Sequence, residues 1–163
     1  MSRGFIQIYC GEGKGKTFAA VGQGIREASQ GKSVIMIQFL KGNGEGLKNN
    51  EVLARLEPEI KCFSFEKADC FFADLSEEEK QEEIINIKNG LNFAKKVLVT
   101  GECDVLILDE LLGLLDYQII TVEELKALLE SGNENMTLVL TGRYVDEEIC
   151  AYADEVSKIE HLK

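Results

Sequence analysis

The sequence predicts an α/β fold in three layers, with a mostly parallel central sheet between helices. Apolar runs of strand length alternate with helical patterns along the whole chain. Most of these runs lack the alternation of a half-exposed strand, which indicates strands buried on both faces. Because parallel strands are joined by right-handed crossovers, the intervening helices are expected to cover both faces of the sheet.

The predicted elements follow one another in that alternation. Strands are predicted at residues 5–9, 34–40, 105–108 and 136–140, with weaker candidates at 60–65 and 156–159. Helices are predicted at residues 17–30, 76–98, 122–130 and 147–153. The glycine- and asparagine-rich residues 41–50 are predicted to form a mobile loop.

Short capping patterns mark several helix ends. Ser76 with Glu79, and Thr121 with Glu124, each fit a capping box at a helix N-terminus. Gly31 and Gly132 stand where a glycine commonly ends a helix.

Composition excludes several classes of protein. At 163 residues and 45% hydrophobic content, the chain is expected to form a single domain with a real core. A net charge of −11 is opposite in sign to the basic surface of a nucleic-acid-binding protein. The five cysteines form no C-x-x-C pair, which indicates reduced thiols and a cytoplasmic location. No apolar segment approaches the length of a membrane span or a signal-peptide core, so a soluble protein is predicted.

The most informative segment follows the first predicted strand and opens the first predicted helix. It consists of Gly11, Glu12, Gly13, Lys14, Gly15, Lys16 and Thr17, here called the phosphate loop. Glycines let backbone N–H groups approach phosphate oxygens, and the helix N-terminus adds about half a positive charge. Lys16 is expected to reach the phosphates of a nucleotide, and the Thr17 hydroxyl to bind Mg²⁺. In the usual G-x-x-x-x-G-K-T spacing the first glycine would replace Cys10, so this loop is a variant.

Polar residues also follow the other predicted strands, where ligands bind in open parallel sheets. Asp109 and Glu110 come directly after four apolar residues, and one or both are expected to support Mg²⁺ with Thr17. One of the two carboxylates could instead act as a base or orient a ligand. Lys41 and Arg143 follow two other strands, where each could clamp an anionic ligand or form only a surface ion pair.

A cluster of phenylalanines precedes the long central helix. Phe63, Phe65, Phe71 and Phe72 lie within ten positions of one another. Burial in the core is one interpretation of this cluster, and a flat apolar ligand site is the other. The single histidine, His161, has no partner in the sequence and is not expected to be catalytic.

Together these motifs resemble the P-loop ATP:corrinoid adenosyltransferases, the cob(I)yrinic acid a,c-diamide adenosyltransferases. The resemblance covers residues 4–161 and includes the G-x-G-K-G-K-T form of the phosphate loop. Further matches are Gln38-Phe39-Leu40-Lys41-Gly42, residues 104–111, and Thr141-Gly142-Arg143 followed by Ala153-Asp154. The resemblance implies a P-loop NTPase-like, or RecA-like, fold.

The resemblance also implies a reaction and its participants. Family members transfer the 5′-deoxyadenosyl group of ATP to Co(I) of a reduced corrinoid and release triphosphate. The implied catalytic residues are Lys16 and Glu110, and the implied metal ligands are Thr17, Asp109 and Glu110. The phosphate loop, Phe18, Lys41, Phe71, Phe72 and Arg143 are the implied binding residues for ATP and the corrinoid. A homodimer and a flavoprotein reductase as electron donor are implied in the same way.

One departure from the family pattern concerns the corrinoid. Members are expected to press an aromatic pair of the form Phe-x-Trp against the lower face of the corrinoid, which favours its four-coordinate form. The best match here is Phe71-Phe72-Ala73, and the chain contains no tryptophan. A non-catalytic relative that binds ATP or a corrinoid therefore stays open. An ordinary P-loop ATPase or kinase also stays open, because phosphate-loop residues alone do not separate attack at phosphorus from attack at carbon.

Overall fold

The fold is a six-stranded parallel sheet covered by helices on both faces. The computed structural model describes residues 3–41, 47, 50–68 and 70–163. The strands are β1 Phe5–Cys10, β2 Val34–Gln38, β3 Ile60–Ser64, β4 Val105–Asp109, β5 Thr137–Gly142 and β6 Glu155–Lys158. The helices are α1 Lys16–Ser29, α2 Glu51–Ala54, α3 Glu77–Thr100, α4 Gly113–Asp116, α5 Val122–Leu129 and α6 Glu147–Tyr152. A single 3₁₀ turn, Phe72–Asp74, precedes α3.

The strand order places the candidate site residues along one edge of the sheet. The strands lie in the order β3-β2-β4-β5-β1-β6, and every neighbouring pair is parallel. In register, Gln38 lies opposite Asp109, and Cys10 opposite Gly142. The carboxyl ends of β1, β2, β4 and β5 therefore meet at the same edge. This arrangement confirms the predicted three-layer α/β fold, with a sheet that is entirely parallel.

Burial on both faces explains why the predicted strands lack alternation. Every residue of β2 and of β4 is buried. Leu106 and Leu108 face a core that includes Ile87 of α3, whereas Val105 and Ile107 face a second core that includes Val21 of α1. Each such side chain contributes about 1.5–3 kcal/mol on burial, so both faces of the sheet stabilise the fold.

Element boundaries differ modestly from the predicted ones. The two weaker strand candidates are confirmed as β3 and β6, which form the sheet edges. The second strand ends at Gln38 rather than at residue 40, because Leu40 takes a left-handed backbone conformation with φ 56°. The short helices α2 and α4 were not predicted. Most of the predicted loop at 41–50, including Gly42, lies outside the described residues.

The predicted helix caps are confirmed in part. Ser76 and Glu79 form the complete capping box at the start of α3. The Thr121 hydroxyl accepts the Glu124 N–H at 3.1 Å, but the carboxylate of Glu124 meets that hydroxyl rather than the Thr121 backbone. Gly31 lies just after α1, as predicted, and has the left-handed conformation common at helix ends, with φ 86°. Gly132 does not, and it instead packs closely against Leu98.

The described part of the chain contains no helix that is both long and apolar enough to cross a bilayer. None of the five cysteines, all of which lie among the described residues, forms a disulfide. Cys70 and Cys150 are exposed, whereas Cys10 and Cys103 are buried.

Thiol reactivity should follow this burial. Burial raises the pKa of Cys103 to about 12, so this thiol stays protonated and unreactive at neutral pH. In the native protein, a chromogenic disulfide reagent is expected to label Cys70 and Cys150 first. Cys10 and Cys103 should react only after unfolding in urea. A rapid phase that survives in a Cys70→Ser/Cys150→Ser variant would contradict this prediction.

Candidate active site

The phosphate loop joins β1 to α1 in a backbone conformation that requires glycine. Gly11 and Gly15 have φ angles of 112° and 109°. A Cβ on Gly11 would lie 2.1 Å from the carbonyl oxygen of Ile159, so a side chain there cannot be accommodated. Gly15 precedes α1, whose N-terminus has no side-chain cap. The first turn of α1 can therefore present its N–H groups to an anion.

Backbone contacts hold the first half of the phosphate loop in place. The Gly11 N–H donates to the Arg143 carbonyl at 2.9 Å, and the Gly13 N–H donates to the Ile159 carbonyl at 3.2 Å. The Lys14 N–H donates to Nε2 of His161 at 3.1 Å. The loop is thus fixed between β5 and the segment that follows β6. His161, which lacks a partner in the sequence, contacts the loop directly.

Lys16 lies over this loop. It is the first residue of α1, and its Nζ donates to the Gly13 carbonyl at 3.0 Å. The ammonium group is therefore held on the same side as the glycine-rich turn. A polyphosphate in the loop would meet it there.

Thr17, Lys41 and Asp109 form a compact polar cluster at the edge of the sheet. The Thr17 hydroxyl lies 3.1 Å from each carboxylate oxygen of Asp109. Nζ of Lys41 lies 3.3 Å from Oδ2 of Asp109 and 3.1 Å from Oγ1 of Thr17. Because Asp109 is fully buried, this ammonium group supplies the opposite charge that a buried carboxylate requires.

Two further residues fix the orientation of the Asp109 carboxylate. Nε2 of Gln38 donates to Oδ2 at 3.1 Å, and the Thr141 hydroxyl donates to Oδ1 at 2.6 Å. Sequence reasoning placed Gln38 and Thr141 in family motifs but did not identify them as site residues. Their position at strand ends, beside Lys41 and Arg143, is the signal that could have identified them.

The cluster supplies donor atoms of the kind that Mg²⁺ prefers. The Thr17 hydroxyl and the Asp109 carboxylate are hard oxygen donors in mutual contact. Among the described residues, no group of three or more acidic, histidine or cysteine side chains could hold a metal ion. Mg²⁺ commonly takes one or two protein ligands and completes its shell with phosphate and water, so these residues fit that ion.

Glu110 points to a different part of the edge. Its backbone takes a left-handed conformation with φ 61°, and its N–H donates to the Thr141 hydroxyl at 2.8 Å. Burial raises the pKa of Glu110, an effect that the nearby Lys41 opposes. Its carboxyl group lines the cleft described next, rather than hydrogen-bonding to Thr17.

A cleft of about 450 Å³ opens beside the Thr17–Asp109 pair, and we call it the aromatic cleft. It combines phenyl and phenol rings with charged groups of both signs. Its lining residues are Leu40, Lys41, Phe71, Phe72, Ala73, Asp74, Glu110, Gly113, Asp116, Tyr117, Arg143 and Tyr144. A concave surface that combines aromatic rings with convergent polar groups is typical of small-molecule sites.

Two of the four clustered phenylalanines are buried in the core, and the other two line the aromatic cleft. Phe63 and Phe65 pack on Phe93 of α3, with ring centroids 4.9 and 5.6 Å apart, and so belong to the core. Phe71 and Phe72 line the aromatic cleft.

Of the other predicted binding residues, some line the aromatic cleft and others do not. Lys41 and Arg143 both line the aromatic cleft, and Arg143 forms no ion pair or side-chain hydrogen bond with any described residue. Glu12 accepts a hydrogen bond from the Tyr144 hydroxyl at 2.7 Å. Phe18 is 63% exposed on α1 and does not line this cleft.

A partly buried carboxyl group, that of Glu66, contacts the backbone of Lys41. Glu66 Oε2 accepts the Lys41 N–H, whereas its Oε1 has no partner among the described residues. Burial raises the pKa of Glu66 to about 8. In the unfolded chain this group titrates near its ordinary value of about 4.3, so the folded protein holds a proton that the unfolded chain releases.

The free energy of unfolding should therefore fall as pH rises from about 5 to 8. Glu66 contributes up to about 1.4 kcal/mol of this loss per pH unit. Glu66→Gln keeps an acceptor for the Lys41 N–H but removes the titration. Urea unfolding at pH 5.5 and pH 8 should show a smaller loss of stability in this variant than in the wild type. Glu59→Gln, at an exposed position, is the matched control. Equal losses in Glu66→Gln and the wild type would contradict the prediction.

The chain is similar to known proteins over nearly its whole length. The family model described as "ATP:corrinoid adenosyltransferase BtuR/CobO/CobP" matches residues 2–163. A "Corrinoid adenosyltransferase" of Escherichia coli is 31% identical over 161 residues, which cover 99% of this chain and 79% of the relative. The "Corrinoid adenosyltransferase CobA" of Salmonella typhimurium is 29% identical with the same coverage. A "Corrinoid adenosyltransferase" of a Sinorhizobium species is 28% identical and covers 99% of this chain and 74% of the relative. The chain therefore belongs to the ATP:corrinoid adenosyltransferase family.

Proposed function

We propose that this ATP:corrinoid adenosyltransferase binds the triphosphate of ATP in the phosphate loop and the reduced corrinoid in the aromatic cleft. The observation that carries this assignment is the position of Lys41. Its Nζ contacts Thr17 at the phosphate loop, and the same residue lines the cleft that contains Phe71 and Phe72. A nucleotide in the loop and a flat apolar ligand in the cleft would thus be neighbours.

This arrangement suits attack at carbon. Co(I) attacks C5′ of ATP with an electron pair that becomes the Co–C bond. The C5′–O bond breaks, and its electron pair leaves on the triphosphate oxygen. No protein nucleophile and no proton transfer are needed, so the task of the protein is to align the reactants and to stabilise the leaving group.

The residues of the phosphate loop stabilise the departing triphosphate in this proposal. Lys16 and the first-turn N–H groups of α1 supply positive charge where negative charge develops, and Lys14 adds a second ammonium group. Mg²⁺, when bound by Thr17 and Asp109, would neutralise part of the triphosphate charge. With Mg²⁺ bound, the cation would share the Thr17 and Asp109 oxygens that Lys41 contacts in this structure. The Lys41 ammonium group would then be available to the phosphates.

Residues of the aromatic cleft hold the corrinoid in the same proposal. Phe71 and Phe72 contact its flat face. The Arg143 guanidinium, which lacks an ion pair among the described residues, binds a phosphate or an amide carbonyl. Glu110 accepts a hydrogen bond from a ligand hydroxyl or amide.

Product analysis tests this function against the two alternatives. Incubation with ATP, Mg²⁺ and chemically reduced cobalamin should release intact triphosphate in a one-to-one ratio with alkylcobalamin. An ordinary P-loop ATPase or kinase would instead produce ADP. A non-catalytic relative would bind ATP and leave both reactants unchanged, and either result would overturn the proposal.

Two further expectations rest on the family resemblance alone: we propose a homodimer and a flavoprotein reductase as the electron donor. The odd number of cysteines without a C-x-x-C pair supports a cytoplasmic location, which we also propose. Sedimentation equilibrium tests the first, since a mass near 18.1 kDa at micromolar concentration would contradict it.

A further inference from the structure

The segment of residues 159–161, which follows β6, lies directly against the phosphate loop. Because β6 pairs with β1, the sheet fixes the point at which this segment begins. The Ile159 carbonyl accepts the Gly13 N–H at 3.2 Å. Two residues later, Nε2 of His161 accepts the Lys14 N–H at 3.1 Å. The segment therefore holds two successive N–H groups of the loop.

Two glycines of the loop make room for this segment. A Cβ on Gly11 would lie 2.1 Å from the Ile159 carbonyl oxygen, and a Cβ on Gly13 would lie 2.9 Å from the same atom. A Cβ on Gly15, in contrast, would have no described atom within 4 Å. The first two glycines thus allow a close approach of the protein's own backbone, whereas Gly15 faces open space.

These contacts divide the N–H groups of the loop into two sets. Those of Gly11, Gly13 and Lys14 each donate to an acceptor of the protein itself. Those of residues 15–17 donate to no backbone carbonyl in the described part of the chain. Free N–H groups at a helix N-terminus are what a phosphate requires. The 159–161 segment therefore fixes one half of the loop while the other half stays open to an anion.

We infer that His161 is a positioning residue for the triphosphate, because its imidazole fixes the Lys14 backbone and so orders the loop before the nucleotide arrives. This inference rests on the proposed function. Nε2 can accept the Lys14 N–H only in the neutral tautomer that carries its proton on Nδ1. Within the described ranges, no other side chain accepts a backbone N–H of the loop.

The composition of the loop makes such a contact valuable. Glycine loses more conformational freedom on ordering than any other residue, and three of the seven loop residues are glycines. A loop that is already held in its binding geometry avoids this cost when the ligand binds. Without the His161 contact, the nucleotide itself would have to order the Lys14 backbone.

Replacing His161 with leucine removes the acceptor and keeps the side-chain bulk. The Kd for Mg²⁺–ATP, measured by calorimetric titration, should rise by about three- to tenfold in His161→Leu. His161→Gln places an amide oxygen at a similar reach, so its Kd should stay within about twofold of the wild-type value. The KM for the corrinoid should stay within about twofold in both variants, because His161 does not line the aromatic cleft.

A neighbouring variant controls for a general disturbance of the segment. Leu162 is 93% exposed, and Leu162→Ala should bind Mg²⁺–ATP like the wild type. Unchanged affinity in folded His161→Leu would overturn the inference alone. Tighter binding would overturn it as well, since the imidazole would then obstruct the loop. Equal weakening in His161→Leu and His161→Gln would also overturn it, because the acceptor would then not be the group that matters.

The wild type separates this inference from the proposed function. A wild type that binds no Mg²⁺–ATP would overturn both. A wild type that binds Mg²⁺–ATP but forms no alkylcobalamin would overturn the proposed function, and the affinities of the two His161 variants would still decide the inference.

Discussion

Replacing Lys16 with alanine is expected to abolish turnover and to weaken ATP binding by at least tenfold. The variant loses a charge-assisted contact to phosphate worth about 1.5–3 kcal/mol in the bound state. The loss should be larger in the transition state, because negative charge builds on the departing triphosphate. Calorimetric titration with Mg²⁺–ATP measures the first effect, and single-turnover alkylation of Co(I) measures the second.

A second lysine variant controls for the change of net charge. Lys96 is exposed on α3, away from the phosphate loop, so Lys96→Ala removes a charge without touching the candidate site. It should bind ATP and turn over like the wild type. An unchanged ATP affinity in Lys16→Ala itself would show that the phosphate loop does not bind the nucleotide through this residue.

Replacing Asp109 with asparagine is expected to impair both stability and turnover. The buried carboxylate accepts hydrogen bonds from Thr17, Gln38 and Thr141 and pairs with Lys41. In asparagine one of the two oxygens becomes an amide nitrogen, which cannot accept a hydrogen bond, and the negative charge that pairs with Lys41 is lost. Breaking a buried ion pair by removing one partner costs about 3–5 kcal/mol. For a domain of this size, such a loss corresponds to a Tm lower by about 10 °C.

A double variant separates the structural role of Asp109 from its role in binding. Lys41→Met in the Asp109→Asn background removes the unpaired ammonium group, so part of the lost Tm should return. Turnover should not return, because the carboxylate that would support Mg²⁺ is still absent. Scanning calorimetry and the alkylation assay give the two readouts. A wild-type Tm and turnover in Asp109→Asn would contradict the assigned position of this residue.

The sheet could be predicted from the sequence because its signals are local. Residues 105–108 are apolar without alternation, and the structure buries both faces of that strand. The phosphate loop was equally clear, since a glycine-rich turn before Lys16 and Thr17 combines all parts of one motif. The carboxyl-edge rule then placed Asp109 and Lys41 on the same edge of the sheet.

The parts of the site that escaped prediction depend on contacts between distant segments. Tyr117 meets Phe72 only because α4, a helix of four residues with no sequence signal, turns the chain back towards the cleft. Leu40 takes a left-handed conformation that its residue type does not favour, so the end of β2 at Gln38 could not be located from the sequence. His161 meets the Lys14 N–H only because β6 pairs with β1.

The most direct test of the central claim is an anaerobic absorbance measurement on reduced cobalamin with this protein, ATP and Mg²⁺. The account predicts that the Co(I) spectrum converts to that of a photolabile alkylcobalamin while triphosphate is released. A Co(I) spectrum that persists while calorimetry shows ATP bound to the same protein would contradict the account.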